Sequence, residues 1–281
     1  MVEKRGLLRF VFSGGHLYNV SQITRNEAGG YNEIMKTRKE LKQQSKDLLK
    51  GHWSTAILLN LIPTLLIMAL IVLVIITTIS ILGTMGYHYA DIANYAVQES
   101  QSNRSNYAAI VRGAVSTVFM VGVQYTFLDW LRNRNYQVVP LRDAFQVFTG
   151  RYFWGTIGLM VLTYCYTTLW SMLLFIPGIV KSYSYSQAYL IYKDRRGVNG
   201  DQPVNVNQCI TISRRMMNGH KWDFFVLQLS FLGWGLLSVL TLGIGFLWLN
   251  PYKNATYAGF YDDLKQAIDQ QAQVEPQNIA H

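Results

Sequence analysis

Residues 53–82 read WSTAILLNLIPTLLIMALIVLVIITTISIL, and no Asp, Glu, Lys or Arg falls between Trp53 and Asp91. A helix needs roughly 20 mostly apolar residues to cross about 30 Å of hydrocarbon, and this run is longer. Two more uncharged stretches follow, from Tyr152 to Val180 and from Phe224 to Tyr252. Buried helices of soluble proteins rarely run so far without a charge. The expected fold class is therefore all-α, a polytopic transmembrane helical bundle.

Composition agrees. Of the 281 residues, 50% are hydrophobic and 15% charged, against about a quarter charged in a soluble domain. The net charge of +9 could suggest nucleic acid in a soluble protein, but here the cations flank apolar runs. That placement reads as membrane topology and contact with anionic lipid headgroups, with no nucleic-acid role.

Working outward from residues 53–82, six crossings are expected: about Ser54–Leu82, Tyr107–Leu131, Tyr152–Ile176, Ile179–Tyr192, Phe224–Leu240 and Phe246–Tyr261. Pro63 can kink the first, Pro177-Gly178 punctuates the third, and Asn250-Pro251 disturbs the last. Residues 179–192 and 246–261 are short enough to be either spanning or re-entrant. Lys and Arg concentrate before the first run, between the second and third (Arg132, Arg134, Arg142, Arg151), and between the fourth and fifth (Lys193, Arg195, Arg196, Arg214, Arg215, Lys221). Positive charge marks the cytoplasmic side, so both termini are expected there.

Four regions follow. Residues 1–34, rich in Gly, Asn and Ser, are expected to be a disordered leader or an over-long gene start, with translation from Met1 or Met35. Residues 35–53 contain KTRKELKQQSKDLLK, a basic amphipathic helix suited to an anionic membrane surface or simply solvated. Residues 54–264 form the transmembrane domain, and residues 265–281 a polar, frayed tail.

The basic segments repeat a pattern. Ser45-Lys46-Asp47-Leu48-Leu49-Lys50-Gly51-His52 aligns with Ser213-Arg214-Arg215-Met216-Met217-Asn218-Gly219-His220, and Val147-Phe148-Thr149-Gly150-Arg151 is a fainter copy. An aromatic follows each: Trp53, Trp222 and Tyr152. His52, Trp53, Arg151, Tyr152, His220 and Trp222 are thus expected to be interfacial anchors. Aligning Gly178 with Gly245 also places Ser171 over Ser238 and Tyr185 over Tyr252. The pattern describes three out-and-back hairpins, each preceded by a cytoplasmic amphipathic segment.

Three stretches, MKTRKELKQQSKDLLKGHWSTAILLNL (35–61), IPGIVKSYSYSQAYLIYKD (176–194) and MMNGHKWDFFVLQLSFLGWGLLSVLTLGIGFLWLNPY (216–252), resemble a bacterial integral-membrane family designated domain of unknown function 975. The resemblance runs over about residues 35–264. It implies a multi-pass protein of the bacterial cytoplasmic membrane, mostly from Gram-positive lineages, and it implies no activity.

Charges within the apolar runs are the functional pointers, since each costs roughly 2.5–3.5 kcal/mol or more at mid-bilayer. Arg112 and Lys181 lie near run ends and can snorkel. Lys253 lies midway along the last run. Asn250, Asn254, Tyr257 and Tyr261 follow i, i+4, i+7, i+11 beside it, one polar helical face, and Lys181, Tyr185, Tyr189 and Tyr192 make a similar stripe. The two faces either line a cavity for an anionic headgroup or solute or hydrogen-bond helix to helix. Asp129, Asp194 and Asp262, each near the end of a returning run, read as caps near basic loops.

No Gly-x-Ser-x-Gly, Cys-x-x-Cys or His-Glu-x-x-His occurs, and Cys165 and Cys209 have no metal-ligand spacing. No cofactor, metal or catalytic residue is expected, and the chain is read as no enzyme. The leading expectation is a membrane-organising, assembly or lipid-contacting role involving protein partners as yet unknown. The alternative is a transporter or lipid- or solute-handling protein using the Lys253 face.

Overall fold

The structure, a computed structural model, describes residues 10–13, 16–19, 35–84, 94, 103–200 and 202–279. Within the leader, Phe10–Ser13 (β1) and His16–Asn19 (β2) pair antiparallel, Phe10 opposite Asn19 and Ser13 opposite His16. Gly14-Gly15 separates them in sequence, a dipeptide that two-residue hairpin loops favour. The rest of the leader lies outside the described residues, as do Asp91 and Glu99.

The remaining regular structure is helical. Arg38–Leu49 (α1) starts with a capping box: Thr37 Oγ1 accepts from the Glu40 N–H at 3.4 Å and the Glu40 carboxylate accepts from the Thr37 N–H at 2.7 Å. Gly51, at φ +82°, turns the chain into Trp53–Thr84 (α2), 32 residues including Pro63. Asn103–Arg132 (α3) leads through the short Pro140–Ala144 (α4) and the 3-10 turn Gln146–Phe148 to Phe153–Leu173 (α5). Then come Phe175–Tyr185 (α6), Ala188–Asn199 (α7) and Val206–Met216 (α8). Lys221–Leu229 (α9), Leu232–Leu240 (α10) and Phe246–Ile279 (α11) complete the chain.

Four features differ from expectation. The third run ends at Leu173, three residues early, because extended Leu174 makes the break. Pro177 then falls in the first turn of α6, where its missing N–H leaves no helical bond unmade. The returning stretch bends again at Ser186-Gln187, and the fifth run bends at Ser230-Phe231. The tail expected to fray from residue 265 onward instead continues α11 to Ile279, with Ala267 buried one turn after buried Leu264. Their i, i+3 spacing keeps one apolar face against the bundle.

Two antiparallel pairs are closed along their length. Along α5 and α6–α7, Ser171 meets Gly178, the Lys181 ammonium lies 4.5 Å from the Trp170 ring centroid, and the Thr163 and Tyr189 hydroxyls are 3.3 Å apart. Along α9–α10 and α11, Ser238 meets Gly245, Phe231 lies edge-on to Tyr252 at 5.3 Å, and Phe224 sits 4.9 Å from Phe260. The helices α2 and α3 are arranged differently. Among the described residues α2 packs mainly on α4 and α11, and α3 packs mainly on α11.

Among the described residues, three segments are long and apolar enough to cross a membrane: Gly113–Arg132, Phe153–Leu173 and Lys221–Leu240. Burial of their apolar windows is 56%, 11% and 22%, so α3 is central and α5, α9 and α10 are peripheral. The surface carries Leu65, Val72, Leu73, Ile75, Leu169, Met172, Phe175, Leu236 and Leu240, far more apolar area than a soluble monomer leaves open. Thr126, Asp143, Ser184, Lys193, Asn254 and Asp262 are buried. The polarity is that of a chain whose exterior meets an apolar phase.

Candidate functional site: an ionic cluster joining three returning helices

Asp129 and Arg132 are separated by three residues on α3, as are Asp262 and Lys265 on α11, so each pair shares a helix face. Lys193 and Asp194 adjoin on α7. Packing brings all six together. The Arg132 guanidinium grips Asp194 through two bonds of 2.6 and 3.0 Å, and its Nε donates to Asp262 Oδ1 at 2.7 Å. Asp194 Oδ2 also accepts from the Tyr261 hydroxyl at 2.8 Å and from Lys265 at 2.7 Å. Lys193, 6% exposed, pairs with Asp129 at 2.5 Å, donates to the Tyr125 carbonyl, and holds its ammonium 5.3 Å from the Tyr125 ring centroid.

Three carboxylates thus meet three cations. Arg132 is exposed and Asp194 half-buried, so the bidentate fork costs less desolvation than a fully buried pair would. Burial alone would raise the Asp194 pKa, but Arg132 and Lys265 outweigh it and hold the carboxyl below its ordinary value. Burial lowers Lys193 to about 8, a fall that Asp129 partly offsets. Every carboxylate in the cluster faces a cation, an arrangement suited to clamping helices. The sequence reading treated these acids as separate caps and overlooked Arg132 and Lys193. The i, i+3 acid–base spacing was the available signal.

The polar face around Lys253 is divided among neighbours. Asn250 is exposed. Asn254 is buried and donates to Asn60 Oδ1 of α2 at 2.7 Å, while Asn60 donates to the Ala56 carbonyl at 2.9 Å. Tyr257 lies against Phe224 and Phe231, at 5.3 and 6.1 Å between ring centroids, and Tyr261 joins the ionic cluster. Lys253 is half-buried. The other stripe faces α5: Lys181 lies over Trp170, Tyr185 is 6.2 Å from Tyr166, Tyr189 meets Thr163, and Tyr192 fills the space a Cβ on Gly155 would need. The two stripes are therefore directed at different helices.

The anchor residues divide as well. Trp222 is exposed against Phe225, and His52 is exposed and edge-on to Trp130 at 5.9 Å, with Trp53 half-buried beside it. Arg151 donates to the Arg196 carbonyl and Arg196 returns a bond to the Arg151 carbonyl, each at 3.0 Å. Tyr152 packs edge-on to Tyr125 at 5.7 Å. His220 departs from the anchor expectation, being buried at 4% exposure where α8 folds over the start of α9.

α1 does not lie free. Leu41, Ser45, Leu48 and Leu49 are buried, and Leu41 and Gln44 approach Gly259 of α11. Lys36 binds Asp263 through its backbone N–H at 2.8 Å and its ammonium at 3.5 Å. Protein covers the apolar face of this helix, leaving its cations outward.

Together these features define a helical chain that has, among the described residues, three segments long and apolar enough to cross a membrane, and whose helices are clamped by partly buried ion pairs. It belongs to the family described as protein of unknown function (DUF975), which matches residues 35–184 and 172–268. No curated protein and no solved structure matches the chain.

Proposed function

We propose that this chain is a non-enzymatic, six-crossing protein of the bacterial cytoplasmic membrane that organises or assembles membrane components by holding anionic lipid at its cytoplasmic face. One observation carries the reading: the ionic cluster saturates its own acids, while Arg38, Lys39, Lys50, Arg134 and Arg214 remain exposed on the basic segments around it. Such cations attract anionic headgroups at about 1 kcal/mol each.

Both termini are cytoplasmic in this reading, and the chain consists of repeated units, each a basic segment followed by an out-and-back pair. Matched geometry supports the repeat. Gly51 and Gly219 share positive φ, at +82° and +83°; Leu49 and Met217 are both fully buried; and Ser171 and Ser238 each meet the glycine seven residues on.

Two experiments test this. Labelling of cysteines introduced one at a time should place positions 50, 134 and 214 on the cytoplasmic side. Protein purified from bacterial membrane should retain phosphatidylglycerol over phosphatidylcholine, with the preference weakening in salt. Periplasmic labelling at any of the three sites, or equal lipid retention, overturns the reading.

A second reading, transport of a solute or lipid, draws on half-buried Lys253 and on Asn254 Oδ1, which has no hydrogen-bond partner among the described residues. Solute flux into proteoliposomes that Lys253→Ala abolishes would favour it.

A further inference from the structure

Arg38, Lys42 and Lys46 are spaced four apart on α1, which sets them along one helix face. The acids of α1 are engaged elsewhere: Glu40 caps Thr37 and Asp47 accepts from Gln43 Nε2 at 2.9 Å. Asp263, the nearest acid on α11, is taken by Lys36.

The stripe faces the bend between α9 and α10. Lys42 Nζ lies 3.4 Å from the Ser230 carbonyl at the bend and 4.4 Å from the Phe231 ring centroid. Lys46 Nζ lies 5.9 Å from the Tyr252 centroid. Phe231 and Tyr252 touch edge-on, so the two ammonium groups share one aromatic platform. Half-burial lowers the Lys42 pKa, and the like charges of Lys46 and Arg38 lower it further. Crowded cations with no acid among the described residues are stabilised by an anion.

Beyond the platform the surface turns apolar. Leu232, Leu236, Val239 and Leu240 follow i, i+4, i+7, i+8 along α10 and are exposed. The nine residues of α10 rise about 14 Å, close to the roughly 15 Å hydrocarbon depth of one leaflet.

We infer that Arg38, Lys42 and Lys46 seat the phosphate of an anionic phospholipid whose acyl chains run along the exposed face of α10. The occupant combines an anionic head with a chain of one leaflet's depth, which matches a cationic platform continuous with an apolar strip. This rests on the lipid-contacting reading above and assigns it a particular site.

The test is native mass spectrometry of the full-length protein, released from nanodiscs containing equal phosphatidylglycerol and phosphatidylcholine. Lys42→Gln with Lys46→Gln should reduce retained phosphatidylglycerol by about fivefold per lysine. Arg142→Gln, which removes a cation already paired with Asp143 at 2.9 Å, should change it by less than twofold. Brominated phosphatidylglycerol should quench a single-tryptophan variant keeping Trp234 on α10 more than brominated phosphatidylcholine does. Unaltered thermal unfolding of the lysine variants checks that they remain folded.

Undiminished retention in the lysine variants overturns the site and leaves the broader reading standing. No phosphatidylglycerol preference in the unaltered protein overturns both. Displacement of the lipid by millimolar inorganic phosphate would show a bare anion site and overturn the role given to α10.

Discussion

Arg132 and Asp194, 62 residues apart in sequence, are joined by two N–H···O bonds of 2.6 and 3.0 Å. Arg132 also reaches Asp262, 130 residues away, so one side chain on α3 ties down both α7 and α11. Such a junction makes three helices depend on one residue.

Removing that side chain strands two carboxylates. Arg132→Ala is expected to destabilise the detergent-solubilised protein by about 1.5–3 kcal/mol, the range for hydrogen bonds to charged groups, because Arg132 is itself exposed while Asp262 is buried. Arg132→Lys should recover only part of this, because an ammonium cannot make the bidentate fork. Thermal unfolding of Arg132→Ala, Asp194→Asn and the double variant checks the coupling: the double loss should be clearly smaller than the sum of the singles.

Lys193 makes stability depend on pH. Its folded pKa is about 8, against an ordinary 10.5. Below pH 8 both states carry the proton and the cost of burying the charge is felt in full. Between about 8 and 10.5 the folded state releases the proton while the unfolded state keeps it, so stability rises with pH. Unfolding temperatures from pH 7.5 to 10 should rise by this contribution, and Lys193→Met should flatten the slope.

The glycines of the two closed pairs are under steric constraint. A Cβ on Gly178 would lie 2.1 Å from Ser171 Oγ and 2.8 Å from its Cα; on Gly245 the distances to Ser238 are 2.6 and 2.8 Å. Gly178→Ala and Gly245→Ala should each cost about 1–3 kcal/mol. Ser171→Ala should fail to rescue Gly178→Ala, because the Cα clash remains. Gly158→Ala, whose nearest neighbour would be 3.5 Å away, should stay within about 0.5 kcal/mol.

Asn60 and Asn254 bond side chain to side chain between apolar helices. A double-mutant cycle with alanine should give a coupling of about 0.6 kcal/mol, the average for such bonds in a membrane. Asn60→Leu alone should cost more than the coupling, since it leaves the Asn254 amide without its acceptor.

Much of the architecture was legible because hydropathy is a local property. The uncharged runs marked α2, α5 and the α9–α11 region. The leader hairpin went unread although Gly14-Gly15 between Phe12 and Leu17 signalled it. Helical continuity beyond Asp262 also went unread, because polar residues there mask the buried spacing of Leu264 and Ala267. The polar face on α11 was correctly periodic, yet its members proved to have separate partners on α2, α7 and α9.

Alone, the chain's order of residues determined which segments avoid water and where positive charge gathers, since the transfer cost of each side chain adds up along a helix whatever its neighbours. Tertiary structure decided that Arg132 meets Asp194 and Asp262, that Asn254 finds Asn60, and that Lys42 rests on Phe231. Those pairings depend on the rotation and depth at which separate helices pack, and contacts spanning 62 to 194 residues leave no periodic trace in the segments that make them.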